Sequence, residues 1–574
     1  MHRCLRLEEL LLRIFGILDK NTLTVLARTC RAFTGPALDV LYRSITIGAL
    51  VKCLPAEVWS TTSGPDTAPS TMDIVRPLNN VDWSNFINHS TRVRHLNMYD
   101  TSGYIQVIKM LLDAPIDIDI FPNLRTLSLS LLPSSDNPVD EGIISLGCRF
   151  VPWILKSTLT ALVLGLPTPV LKAVFDELPL EEICPFLHLL DVCAIPSDGG
   201  SPAEMPESLD RAIRSLSSLH HLACHAVSSR TLQHIASLKN LHTLGLWLSE
   251  NSHPVDVFLP MQEQDMVPFG RLRNLTLRSQ RIQEICTFLN TIDWDIAQLS
   301  LAITSVLSLS SVQALFSTLP SKLRTTTLEH FQISMALGDD EPVDPPVIGL
   351  ESIRALFVFS RLMSLSLKLQ CIIDIDNSML ARMAQAWPYL RTLVIEQHEG
   401  HFAPPNITLP GLVPLLGCCR FLETFSLPIN ATFVPTDPSR VPGDGVVNYR
   451  ITEICVHDSP IMSPGFVAAF LSGILPELTK IDSWLPSQHR QMGGAVGDIY
   501  RDRWNLTAEL VPIFSTVRVQ ERLATVLRYR GWDEDQDDED RDDEDRGDED
   551  QELEPTIEDA CEDSGGDESL DRLG

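Results

Sequence analysis

One spacing recurs along most of this chain and limits its fold more than any other feature: Leu-x-x-Leu-x-Leu. Clear copies are Leu124/Leu127/Leu129, Leu159/Leu162/Leu164, Leu241/Leu244/Leu246, Leu272/Leu275/Leu277, Leu362/Leu365/Leu367 and Leu390/Leu393/Ile395. Weaker copies stand at Val93/Leu96/Met98, Leu187/Leu190/Val192, Leu219/Leu222/Cys224, Leu422/Phe425/Leu427 and Ile451/Ile454/Val456, with further starts expected near Ile296, Leu323 and Leu478. From Val93 to Leu478 the starts recur at roughly 30 residues, a period that fits one short strand and one returning helix per unit. Side chains alternate along a strand, so the last two apolar positions of each copy share one face. A single unit cannot bury that face, and neighbouring units must stack to cover it. Leu209, Ala212, Ile213 and Leu216 have helical spacing, as does the stretch from Met379 to Trp387, and these predict the returns. Right-handed crossovers then give an α/β solenoid, a curved parallel sheet with helices on the convex side.

The pattern resembles leucine-rich repeats, although the asparagine that forms a side-chain ladder in regular repeats is mostly absent. In this respect it is similar to the irregular solenoids of fungal and plant F-box proteins. The residues between and just after the leucines face the concave side and are free to read a partner. Large aromatic and arginine side chains dominate interface hot spots, which selects Tyr99, Trp247 and Arg278, with Lys368, Glu396 and His457 at equivalent places. His95, Asn97, Thr243, Asn274, Ser364 and Glu453 share that face.

The first forty-odd residues follow a different design. Leu7, Leu10, Leu11, Ile14 and Leu18 fall on a helical stripe, Asp19 and Asn21 are candidate caps of a second helix through Leu23, Leu26, Ala27 and Cys30, and Thr34 with Pro36 predicts a third through Leu41. So small a unit needs something else to pack against. Leu7-Glu8-Glu9-Leu10-Leu11, Ile14-Phe15, Leu18-Asp19, Leu23, Leu26-Ala27, Cys30-Arg31 and Leu41-Tyr42 resemble an F-box over roughly residues 5–45. The family's usual proline near the first helix is replaced by Leu7-Glu8, and Tyr42 stands at the usual tryptophan. The resemblance implies that Leu7, Leu10, Leu11, Ile14, Phe15, Leu18, Leu23, Leu26 and Cys30 contact a Skp-type adaptor of a cullin-RING ubiquitin ligase. It also implies that the remaining chain holds a protein substrate.

The expected organisation is an F-box-like helical unit at 1–47, a flexible linker at 48–90 rich in Pro, Ser, Thr and Gly, the solenoid at 91–510, a capping helix at 511–532 and a disordered acidic tail at 533–574. The tail holds 23 acidic and 3 basic side chains, so it carries −20 of the net charge of −30. Gly338–Pro346 and Pro435–Gly445 read as exposed loops.

No apolar run approaches the length of a membrane span, and charges at Arg6, Glu8, Glu9 and Arg13 interrupt any signal-peptide core. The 13 cysteines lack a Cys-x-x-Cys pair, which fits reduced thiols in the cytoplasm or nucleus. No segment mixes Lys/Arg with aromatics as nucleic-acid binding requires, so neither nucleic acid nor membrane is an expected partner. No phosphate loop or nucleophile elbow is present, and no enzymatic activity or cofactor is expected. His220, His221, Cys224 and His225 are the densest possible metal ligands, followed by His398, Glu399 and His401, but strand alternation separates the first set and no metal is expected. The vicinal Cys418-Cys419 reads as a helix end. Two other resemblances keep different functions open. Repeats followed by an acidic tail are similar to the acidic nuclear phosphoproteins that bind histones, and to Ran GTPase-activating proteins, for which Arg92 or Arg94 would be the exposed arginine.

Overall fold

The repeating leucines form the buried side of one long sheet. In chain order the strands are β1 (Ser44–Thr46), β2 (Trp59–Thr62), β3 (Thr71–Ile74), β4 (His95–Met98), β5 (Thr126–Ser130), β6 (Ala161–Pro167), β7 (Leu189–Ile195), β8 (His221–His225), β9 (Thr243–Leu248) and β10 (Asn274–Ser279). They continue with β11 (Gln298–Ile303), β12 (His330–Met335), β13 (Val347–Ile348), β14 (Ser364–Lys368), β15 (Ile372–Ile373), β16 (Thr392–Glu396), β17 (Thr424–Ser426), β18 (Glu453–His457) and β19 (Lys480–Ser483). Fifteen of them form a single sheet in the order β1-β4-β5-β6-β7-β8-β9-β10-β11-β12-β14-β16-β17-β18-β19. The registered pairings are parallel, so each connection is a crossover carrying a helix or turn. This computed structural model describes residues 7–62, 71–99, 104–114, 119–131, 141–195, 206–225, 227–249, 257–263, 266–305, 307–335, 346–369, 371–396, 404–435, 441–484 and 494–539.

Register explains why the pattern is legible. Leu96, Leu127, Leu162, Leu190, Leu222, Leu244, Leu275, Leu299, Phe331, Leu365, Leu393, Phe425, Ile454 and Ile481 are successive partners across the sheet. All of them are buried. Helices such as Glu207–Ser215, Leu309–Lys322 and Asn377–Ala386 add Ile213, Leu315 and Leu380 to the same core. Along the strands buried residues alternate with half-exposed ones, as in β9 and β10, so one face is covered and the other is open. One repeat is displaced from its expected start: the strand does not begin at Leu323 but at His330, with Leu328, Phe331 and Ile333 inward. Phe331 occupies a leucine place, and Leu323 instead caps the helix Leu309–Lys322 and bridges to Trp294.

Residues 48–90, expected to be a flexible linker, carry regular structure on both sides of 63–70. A short helix Ile47–Val51 precedes an antiparallel β2–β3 hairpin. The helix Asn80–Ser90 follows, with Asn79 and Asp82 forming a reciprocal capping box and Arg76 pairing with Asp82 at 2.6 Å. Loop composition had masked these elements.

The chain divides into two compact units, Met1–Phe514 and Ser515–Gly574. The last helix is longer than the expected 511–532 and runs Gly494–Glu539. Its early start follows from buried contacts: Trp504 is fully buried and its Nε1–H donates to Ser459 O at 2.9 Å, beside the indole of Trp484, which donates to the same carbonyl. The helix also continues into the acidic stretch expected to be disordered from 533, while 540–574 lie outside the described residues. Val517, Leu523 and Leu527, whose spacing suggested an amphipathic face, are exposed.

Candidate functional site: an apolar helix stripe and the open sheet face

Two places combine unusual exposure with chemistry. The first is the N-terminal helical unit, α1 (Glu8–Phe15), α2 (Lys20–Thr29) and α3 (Arg31–Arg43). Asp19 caps α2 by accepting from the N–H groups of Asn21 and Thr22, and these bonds, led by the Thr22 hydroxyl, hold its carboxyl below the usual range. The third helix starts at Arg31, ahead of the expected Thr34–Pro36, because the extended Cys30 ends α2 and Pro36 is tolerated within α3. Leu11, Phe15, Leu23 and Ala37 form a small core of their own, with Leu18 and Leu26 packed on it.

The nine adaptor-contact candidates therefore divide. Leu11, Phe15, Leu18, Leu23 and Leu26 support the unit from inside, and Cys30 is half-buried at the α2–α3 junction. Leu7, Leu10 and Ile14 point outward with exposures of 57%, 37% and 44%. Ile17, at 85% exposure, extends this line, and its spacing of 3, 4 and 3 from Leu7 makes a second apolar stripe beside the buried one. Sequence reading merged the two because they are offset by one position. Tyr42 joins the unit to the array: its hydroxyl meets Cys53 Sγ at 3.1 Å, its ring stacks on His89, and burial pushes its pKa up.

The second place is the open face of the sheet. Tyr99, Trp247 and Arg278, far apart in sequence, line one depression of about 460 Å³. Its floor is set by small residues at register positions, Gly165 on β6, Ala223 on β8 and Gly245 on β9, and a Cβ on Gly245 would sit 3.1 Å from that of Ala223. Asp191, Cys193, His221 and His225 complete the wall. Trp247 lies flat on His225, centroids 5.3 Å apart and planes within 5°, and is the register neighbour of Arg278. His225 Nε2 accepts from the Ala194 N–H at 3.1 Å, and burial, with Arg278 adding to it, pushes its pKa down to about 4. Burial raises Asp191, opposed by His221 and Arg278. Burial and Asp191 raise the Cys193 thiol, which keeps it protonated rather than nucleophilic. Trp247 Nε1 is buried without an acceptor among the described residues. An occupant's carbonyl reaching it would recover about 1–3 kcal/mol of desolvation. Among the described residues no hydrogen bond or ion pair closes on the Arg278 guanidinium. The depression thus offers a free cation, a carboxylate and aromatic walls, a set suited to gripping polypeptide side chains.

Lys368, Glu396 and His457 lie elsewhere on this face, each with a partner there. Lys368 and Glu396, register partners on β14 and β16, pair at 2.6 Å. His457, at positive φ, meets Ser426 Oγ at 2.7 Å; burial lowers its pKa, with Glu396 opposing and Lys368 assisting. The sequence missed Asp191 and Cys193, whose only signal was their place at open positions of the Leu187 repeat, while His221, singled out there only as a possible metal ligand, lines the same wall.

The remaining candidates occupy separate surroundings. Cys224 is buried in the core, His225 lies under Trp247, and His220 meets His188 edge-on and stacks on His242. No metal-binding group of three such side chains occurs among the described residues, and no described helix is long and apolar enough to cross a membrane. His398, Glu399 and His401 lie outside the described residues, as does most of Gly338–Pro346. Cys418 ends the helix Leu412–Cys418, whereas Cys419 is buried, with a thiol raised to about 12 by that burial. No protein-family model matches the chain, and no curated relative matches it in sequence.

Proposed function

We propose that this chain is a non-catalytic substrate-recognition subunit of a cullin-RING ubiquitin ligase. In this reading α1 to α3 act as an F-box that docks on a Skp-type adaptor, and the leucine-rich-repeat array presents its open face to a protein substrate in the cytoplasm or nucleus. The observation that carries it is the outward stripe Leu7, Leu10, Ile14 and Ile17, set on a unit whose own core is already filled by Leu11, Phe15 and Leu23. Each stripe residue contributes on the order of 1.5–3 kcal/mol if a partner buries it fully. Several together suffice to offset the cost of association. The depression around Trp247 and Arg278 supports the receptor half of the reading, since aromatic and arginine side chains supply most interface energy.

Co-purification of the full chain with a Skp-type adaptor tests this directly. The wild type retains the adaptor and Ile14→Asp/Ile17→Asp releases it, while Leu11→Ala loses it only by unfolding the unit, seen as a lower melting temperature. A wild-type chain that fails to retain the adaptor removes the proposal.

A further inference from the structure

The residues that immediately precede the strands form a ladder of their own. Backbone N–H groups of Arg94, Arg125, Thr160, His188, His220, His242 and Arg273 donate to the carbonyls of Arg43, Arg94, Arg125, Thr160, His188, His220 and His242 in turn, at 2.8–3.0 Å. One rung per strand at about 4.8 Å makes this a line of roughly 30 Å along the sheet edge. Arg94, Arg125, His188, His220, His242 and Arg273 are exposed. The imidazoles are in ring contact, His188 with His220 at 5.0 Å and His220 with His242 at 5.9 Å. The four residues before each of β4 to β10 contain no Asp or Glu, and they add Arg92, Lys239 and Arg271 to the line. Arg92 is tied to Asp39, but among the described residues no ion pair meets Arg94, Arg125 or Arg273. Their field is felt locally: after burial, Arg43, Arg94 and Arg125 are what lower the His95 imidazole.

An unneutralised basic edge on a chain of net charge −30 calls for an anionic occupant. We propose that this edge, from β4 to β10, docks an acidic polypeptide segment of a partner protein. A peptide of alternating Asp and Glu engages the line through its side chains and leaves the rest of the acidic surface untouched. A nucleic acid is disfavoured: its backbone is a far longer polyanion, and besides the imidazoles Phe186 is the exposed ring among these strand-preceding residues on which a base could stack. The inference rests on the receptor reading only where it names the partner as a substrate; binding itself does not involve the adaptor.

Fluorescence anisotropy of the full chain with a labelled peptide of about twenty alternating Asp and Glu residues at low salt tests it. Arg94→Glu/Arg125→Glu/Arg273→Glu weakens binding about tenfold or more. Lys172→Glu/Arg211→Glu/Arg382→Glu, which makes the same charge change on exposed helix positions, stays within about twofold, and circular dichroism melts show both triples folded. Equal losses in the two triples reduce the effect to net charge and overturn the assignment. Displacement of the peptide by single-stranded DNA of the same length at lower concentration overturns it in favour of nucleic acid. Binding that appears only after removal of 533–574 overturns it in favour of the chain's own acidic segment. Adaptor retention is unchanged in the Arg94 triple, so this test and the adaptor test fail separately.

Discussion

The two halves of the sheet are built on the same core and finished with opposite chemistry. From β11 onward several charged residues on neighbouring units are matched: Arg324 with Asp295 at 2.7 Å, Lys368 with Glu396, Arg391 with Glu423 at 3.2 Å, and Lys480 with Glu453 and Asp482. Two exposed rings there are also paired, with Tyr389 on Phe421 and Arg450 over Phe421 at 5.7 Å. From β4 to β10 charges of one sign stand side by side at the edge, and a free guanidinium borders a depression floored by glycine and alanine. Since both halves bury the same leucine row, the difference does not arise from folding requirements. On the proposed reading the N-terminal half is the receptive one, and the C-terminal half holds more of its charges in pairs.

The sameness of the core is checked first, because it carries the greatest energies. Leu277→Ala and Leu393→Ala, both fully buried, each lower unfolding free energy by about 2–5 kcal/mol in urea titrations. A clearly smaller loss on one side would show that the halves do not share one packing solution. Next comes His225. Its folded pKa of about 4 lies below the ordinary value of 6.5, so between those pH values the unfolded chain binds more protons and stability rises with pH. The span is on the order of 3 kcal/mol, to which His221, also lowered by burial, adds in the same direction. His225→Gln keeps an acceptor for the Ala194 N–H and flattens the pH 4–6.5 slope; an unchanged slope in melting temperature against pH would refute the burial argument.

Surface charge gives the finest discrimination, and its sign is the informative part. Removing Lys368 or Glu396 costs about 0.2–1 kcal/mol in a double-mutant cycle, and the coupling shrinks with salt. Arg125→Glu, placed beside Arg94, is instead neutral or stabilising by a few tenths of a kcal/mol, since it replaces a like-charge neighbour with an opposite one. Destabilisation by that substitution would mean that the edge arginines are structural rather than held for a partner.

Much of this was legible in the sequence, for reasons that particular residues make plain. Leucines at fixed spacing announce the strands because register forces one inward row, and alternation alone placed Tyr99, Trp247 and Arg278 on a common face. The Phe331 strand was misplaced toward Leu323 because an aromatic fills a leucine position. The hairpin within 48–90 was hidden because turn-forming residues outnumber its few paired ones. Asp191, Cys193 and His221 are ordinary residues singly, and only register across β7 and β8 brings them together. The two stripes of α1 were inseparable without knowing which side Phe15 and Leu23 occupy.

A sheet made wholly of parallel strands has two free margins, and each is a template on which another molecule could lay a strand. Here the margins are short, three residues in β1 and four in β19. The first is set between α3 and the helix Ile47–Val51, and beside the second the indoles of Trp484 and Trp504 converge on the Ser459 carbonyl. Head-to-tail growth into fibres therefore has no rail to run on. A concentrated solution of this protein should remain a population of separate molecules, each with a fixed number of rungs.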